Sequence, residues 1–134
     1  MTIAAATTDA GGELRRPLML IDGDWTASGT GRTLSVENPA KRKPIAEVPR
    51  ADAEDVDRAV NAAAAAFPSW SKVAPRDRGR MLLRIADALE ARTEELARLI
   101  ALETGNALRT QARGEAALSG DIFRYFGGLA SELK

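Results

Sequence analysis

The chain has 134 residues, 19 basic against 19 acidic, with no histidine and no cysteine. That length suffices for one domain with a core, and the balanced charge gives no field favouring nucleic acid or an anionic membrane. The missing cysteine and histidine exclude disulfides, a thiolate nucleophile and the usual zinc ligand sets within this sequence.

With 45% apolar and 28% charged residues, the composition is that of an ordinary globular protein. No apolar run approaches the roughly 20 residues that a spanning helix needs. The opening MTIAAATTDAGGELRR has no basic leader before an apolar stretch, so a cytoplasmic protein is expected. Residues 1–16, small, polar and glycine-bearing, read as a flexible tail; residues 17–134 read as the ordered part.

Leu18 to Ile21 is a short apolar run followed by Asp22-Gly23, a hairpin signal because glycine accepts the positive φ of a tight turn. Asp24-Trp25 follows, and Ser28 to Gly31 forms a second turn. Leu34 and Val36 alternate with polar neighbours as in a half-buried strand, which Asn38-Pro39 stops because proline has no donor for the ladder. Lys41-Arg42-Lys43 reads as a solvated turn, and Ile45 to Val48 alternates as a third strand. The first third therefore predicts a small β-meander of three strands.

From Asp52 the period becomes helical. Val56, Ala59, Val60, Ala63 and Phe67 share a face. Asp52 suits an N-cap, Glu54 and Asp55 suit the positive helix end, and Pro68 is expected to end the helix. A second helix opens at Pro75, carries Met81, Leu82, Ile85 and Leu89, and continues after Thr93, a candidate cap, through Leu96, Leu99 and Ile100 to Gly105. A third carries Leu118, Ile122, Tyr125, Phe126, Leu129 and Leu133, with Gly127-Gly128 expected to weaken or bend it. The chain thus reads as a short β-meander followed by three amphipathic helices. No long β-branched run supplies a sheet for those helices to cover. The last apolar pattern is still running at Lys134, which places the expected partner sheet elsewhere in sequence.

Signals for self-contained chemistry are absent. Gly29 and Gly31 lack the third glycine and the helix of a dinucleotide fingerprint, and neither a phosphate-binding loop nor a nucleophile elbow occurs. No catalytic and no cofactor-binding residue is assigned. Glu103 continues the stripe Ile85, Leu89, Leu96, Leu99/Ile100 to a helix end where carbonyl oxygens gather; such a site suits a hard cation. A solvent-facing or arginine-paired Glu103 is the commoner alternative. Asp121 and Glu115, near Arg124 and Arg113, are explained by ion pairs along the helix. Tyr125-Phe126 offer a stacking platform, but their phase with Ile122 and Leu129 favours core packing. Trp25 and Trp70 read as packing anchors. Arg76, Arg78 and Arg80, with Asp77 among them, read as a solvated face.

Taken as a series, these segments resemble the amino-terminal part of the NAD(P)-dependent aldehyde dehydrogenases: IDGDW, ENPA, AEVPRA, DVDRAVNAAAAAF, then R-x-R-G-R-x-L-L-R-I-A-D-x-L-E, LA-x-L-I-ALETG and F-R-Y-F-G-G-L. The resemblance runs from about Leu18 to Lys134 and implies an α/β parent fold with a Rossmann-type cofactor domain, of which residues 17–134 would be the incomplete amino-terminal part. It implies oxidation of an aldehyde to a carboxylic acid with NAD or NADP, through a thiolate that this sequence does not contain. The implied partners are the remainder of such a polypeptide and, for the whole enzyme, further copies of itself. One element carries over by position: a structural sodium or potassium ion held by backbone oxygens at Val36 and Glu37 and by the carboxylate of Glu103. The family often has aspartate at that last position, and commonly Lys-Pro where this chain has Asn106-Ala107. Two readings stand: the scaffold portion of such an enzyme, or a non-catalytic remnant or interaction module of the same family.

Overall fold

The computed structural model describes residues 18–132; the expected tail, residues 1–16, lies outside them. The described residues fall into two compact units, the first ending at Pro68 and the second beginning at Ser69.

The first unit opens with β1 (Met19–Ile21) and β2 (Asp24–Thr26), paired antiparallel with Leu20 opposite Trp25. Asp22 and Gly23 turn between them with φ of 55° and 85°, the double positive φ of a two-residue hairpin turn that matches strand twist. A second antiparallel ladder joins β3 (Thr33–Asn38) to β4 (Lys43–Pro49). Its turn is held by Asn38, whose Oδ1 accepts from the amides of Ala40 at 2.9 Å and Lys41 at 3.2 Å. This is the turn chemistry expected of asparagine before proline.

The single three-stranded meander is thus corrected to four strands in two separate ladders. The Ser28–Gly31 turn separates them. It closes with Gly31 N donating to Ser28 O at 2.9 Å and is tied to the start of the following helix.

That helix, α1 (Ala53–Trp70), begins with a reciprocal cap. Asp52 Oδ1 accepts from Asp55 N at 3.0 Å and Asp55 Oδ2 accepts from Asp52 N at 3.2 Å, so each carboxylate satisfies an amide that the first turn leaves open. Pro68 lies inside α1 instead of ending it. Without an amide hydrogen it disrupts the ladder, and the helix lasts only two residues more. The apolar face of α1 is open: Val56, Val60 and Phe67 are 53, 60 and 64% exposed.

The second unit contains α2 (Pro75–Glu90), α3 (Thr93–Thr104), a wide π-helical turn at Leu108–Ala112 and α4 (Arg113–Leu129). Pro75 stands in the first turn of α2, as its fixed φ favours. The expected continuous second helix is two helices, which makes four α-helices among the described residues. Arg92 leaves helical geometry at φ −118°, and Thr93 Oγ1 donates back to Glu90 O at 2.8 Å. Thr93 therefore closes α2 instead of capping α3. Gly105, at φ 77°, ends α3 with its amide on Ala101 O, where a left-handed residue is needed.

Small residues make this unit's core. Ala97, Ala112 and Ala116 are buried against Leu96, Ile100, Ala101 and Leu108. α2 and α4 meet backbone to backbone at Gly79 and Gly127. Gly127 serves this close crossing, and α4 ends at Leu129, directly after the expected weak point Gly127-Gly128. The apolar stripe of α4 faces away from it: Leu118, Ile122, Tyr125 and Leu129 are 55, 47, 64 and 39% exposed.

Candidate functional site

Three places concentrate polar chemistry or unsatisfied apolar surface. The first lies on β3. Val36 is half-buried opposite Ala46, and Glu37 stands opposite Pro44. The register slips between Val36 and Glu37, leaving Ile45 as an extra residue on β4, and a bulge of this kind interrupts ladder pairing. Pro44 has no amide hydrogen to offer a β3 carbonyl. Both features fall at the two residues whose backbone oxygens were expected to face a cation. The Glu37 carboxylate is engaged, with Arg42 Nε at 3.1 Å. Arg42 itself sits at φ 53° in the left-handed region.

Glu103 occupies the last turn of α3 with its side chain exposed. Two carbonyls of this terminus are taken: Ile100 O accepts from Thr104 Oγ1 at 2.7 Å and Ala101 O from Gly105 N at 3.1 Å. Asn106 N donates to Thr104 Oγ1 at 3.2 Å, and Asn106 Nδ2 to Glu115 Oε1 at 3.0 Å, joining the α3 terminus to α4. Val36 and Glu37 are adjacent in the first unit; Glu103 belongs to the second. Among the described residues no group of three or more acidic side chains forms a metal cluster.

The second place is Asp55, 2% exposed and the largest fully buried side chain described. Its oxygens accept from Gly29 N at 3.2 Å each and from Arg58 Nη2 at 2.6 Å, beside the Asp52 amide already named. The Arg58 guanidinium above all, helped by the amides of Asp52 and Gly29 and the Ser28 hydroxyl, pulls its carboxyl down to about 2 against the opposing effect of burial. Asp55 thus locks the Ser28–Gly31 turn onto the head of α1. Sequence reasoning assigned it only a helix-end charge. The D-x-x-D spacing of Asp52 and Asp55 was the available signal, whereas the bond to Gly29, 26 residues away, has none.

The third is the set of α4 contacts and faces. Arg124 pairs with Asp87 at 3.0 Å and Glu90 at 2.7 Å on α2, and Arg113 pairs with Glu94 at 2.5 Å on α3. These bonded pairs run between helices, while the expected partner along α4, Asp121, acts on Arg124 through its charge. Tyr125 and Phe126 are 64 and 55% exposed, with ring centroids 5.3 Å apart, edge to face. Their expected place in the core is corrected, since Gly120, Gly127 and Ala130 take the inward positions. Trp25 and Trp70, 52 and 45% exposed, do not anchor a core either. Around Arg76, Arg78 and Arg80 the solvated reading fits, with Arg80 paired to Asp77 at 3.0 Å. Among the described residues no helix is long and apolar enough to cross a membrane.

Residues 25–134 match the model of the aldehyde dehydrogenase family. An aldehyde dehydrogenase of Aspergillus niger is 41% identical over 132 residues, which is 97% of this chain and 26% of that protein. A phenylacetaldehyde dehydrogenase of Pseudomonas fluorescens is 43% identical over 86% of this chain and 23% of its own. Among solved structures, an NAD-dependent aldehyde dehydrogenase from Sinorhizobium meliloti superposes with a TM-score of 0.83 at 36% identity, over 89% of this chain and 24% of that one. A betaine aldehyde dehydrogenase from Staphylococcus aureus, solved in complex with NAD+, gives 0.83 at 35% identity over 87 and 24%. The chain therefore spans about a quarter of the length of the relatives it matches.

Proposed function

The chain belongs to the aldehyde dehydrogenase family, and from that premise we propose that it is the amino-terminal, scaffold portion of an NAD(P)-dependent enzyme oxidising an aldehyde to a carboxylic acid. The observation that carries this reading is the pairing of a quarter-length match with open apolar faces on α1 and α4. Helices with an uncovered apolar stripe need a partner layer, and larger exposed apolar patches mark interaction surfaces. The remainder of the polypeptide is the layer proposed to cover Val56, Val60 and Phe67 and, separately, Leu118, Ile122, Tyr125 and Leu129.

The chain's own residues fit a structural role and no chemical step. It has no cysteine for the nucleophile and no glycine-rich dinucleotide fingerprint, so the thiolate and the NAD or NADP site fall to the rest of the enzyme. What these residues do is position: Asp55 fixes a turn to a helix, Gly79 and Gly127 let two helices close up, and Arg113 and Arg124 tie α4 to its neighbours. The backbone oxygens of Val36 and Glu37 with the Glu103 carboxylate are proposed to hold a structural sodium or potassium ion. The interrupted ladder at Val36–Glu37 supports the backbone part of that set. The complete enzyme is proposed to be a cytoplasmic homo-oligomer.

A chimera tests the reading. Residues 18–134 replace the matching segment of the Pseudomonas fluorescens phenylacetaldehyde dehydrogenase, and NAD reduction with phenylacetaldehyde is followed. A soluble, active chimera is expected. An insoluble or inactive one, beside an active parent prepared in parallel, contradicts the assignment.

A further inference from the structure

We draw no further inference here: the strongest candidate, the exposed apolar seam of Leu118, Ile122, Tyr125 and Leu129 along α4, carries nothing beyond the scaffold reading because nothing in the structure shows what covers it.

Discussion

A Cβ placed on Gly79 would lie 2.5 Å from the carbonyl oxygen of Gly127. No real side chain tolerates that approach, so α2 and α4 pack at a distance only glycine permits. Gly79→Ala must push the helices apart, and overpacking of this kind costs about 1–3 kcal/mol, outweighing the roughly 1 kcal/mol by which alanine favours a helix. Gly127→Ala meets the Gly79 oxygen at 3.1 Å and Leu83 as closely and should destabilise less. Gly128→Ala, with nothing within 4 Å, should stabilise by about 0.5–1 kcal/mol. Denaturant unfolding of the three variants checks the order; a stabilised Gly79→Ala would refute the close crossing.

Asp55 makes stability depend on acid. Its folded carboxyl sits near 2 against an ordinary 3.8, a depressed value, so its contribution is fully present above the ordinary value and is lost as pH falls towards 2. Glu94, lowered by its bond to Arg113, acts in the same direction but is exposed and screened. The unfolding midpoint should therefore drop between about pH 5 and pH 2, and Asp55→Asn should flatten that drop while lowering the midpoint at neutral pH. A variant with the same acid slope as the parent would show that Asp55 is not the group responsible.

Arg124 reaches two carboxylates on α2, all of them substantially exposed. Exposed pairs contribute little and are screened by salt. Arg124→Met should lower the midpoint slightly in dilute buffer, and the difference should vanish near about 1 M salt, where the Debye length is about 3 Å. A salt-independent difference would mean that the arginine stem packs and its charge does not matter.

The proposed cation uses two glutamates differently. Glu37 offers a backbone oxygen while its carboxylate is held by Arg42; Glu103 offers its carboxylate. In the complete enzyme, exchanging sodium or potassium for a bulky organic cation should lower the unfolding midpoint. Glu103→Gln should abolish that dependence and Glu37→Gln should preserve it. Equal loss in both variants, or no dependence in the parent, overturns the ligand set.

The α4 seam predicts a variant whose effect depends on the rest of the protein. Ile122→Glu and Tyr125→Glu alter side chains 47 and 64% exposed here, and surface changes are usually within about 0.5 kcal/mol. The isolated chain should keep its helical circular dichroism, while the chimera bearing either change should lose solubility or activity. Unimpaired chimeras would mean that this face stays in water.

Much of the local structure was legible because it is local. Asp22-Gly23, Asn38-Pro39, Asp52, Pro75 and Gly105 act within a few residues of themselves, and each does in the structure what its chemistry dictates. The errors came from tertiary competition. Gly127 reads in sequence only as a weak point near a helix end because its partner, Gly79, is 48 positions away. Tyr125 and Phe126 looked like core because periodicity reports an apolar face without saying whether the same chain covers it, whereas the uncovered stripes themselves agree with the expected partner layer elsewhere. Asp55 looked like one more helix-end acid because its bond to Gly29 depends on the fold. The proposed cation set rests on the family resemblance, whereas the slip beside Glu37 appears only in the ladder.

The most direct test of the scaffold reading is the intact mass of the native protein in its source cells. The account predicts a mass several times the 14.3 kDa of this chain, with Gly79, Asp55 and Glu103 found in peptides of that larger species. A native mass matching 134 residues would contradict it and leave these helices without the polypeptide proposed to cover them.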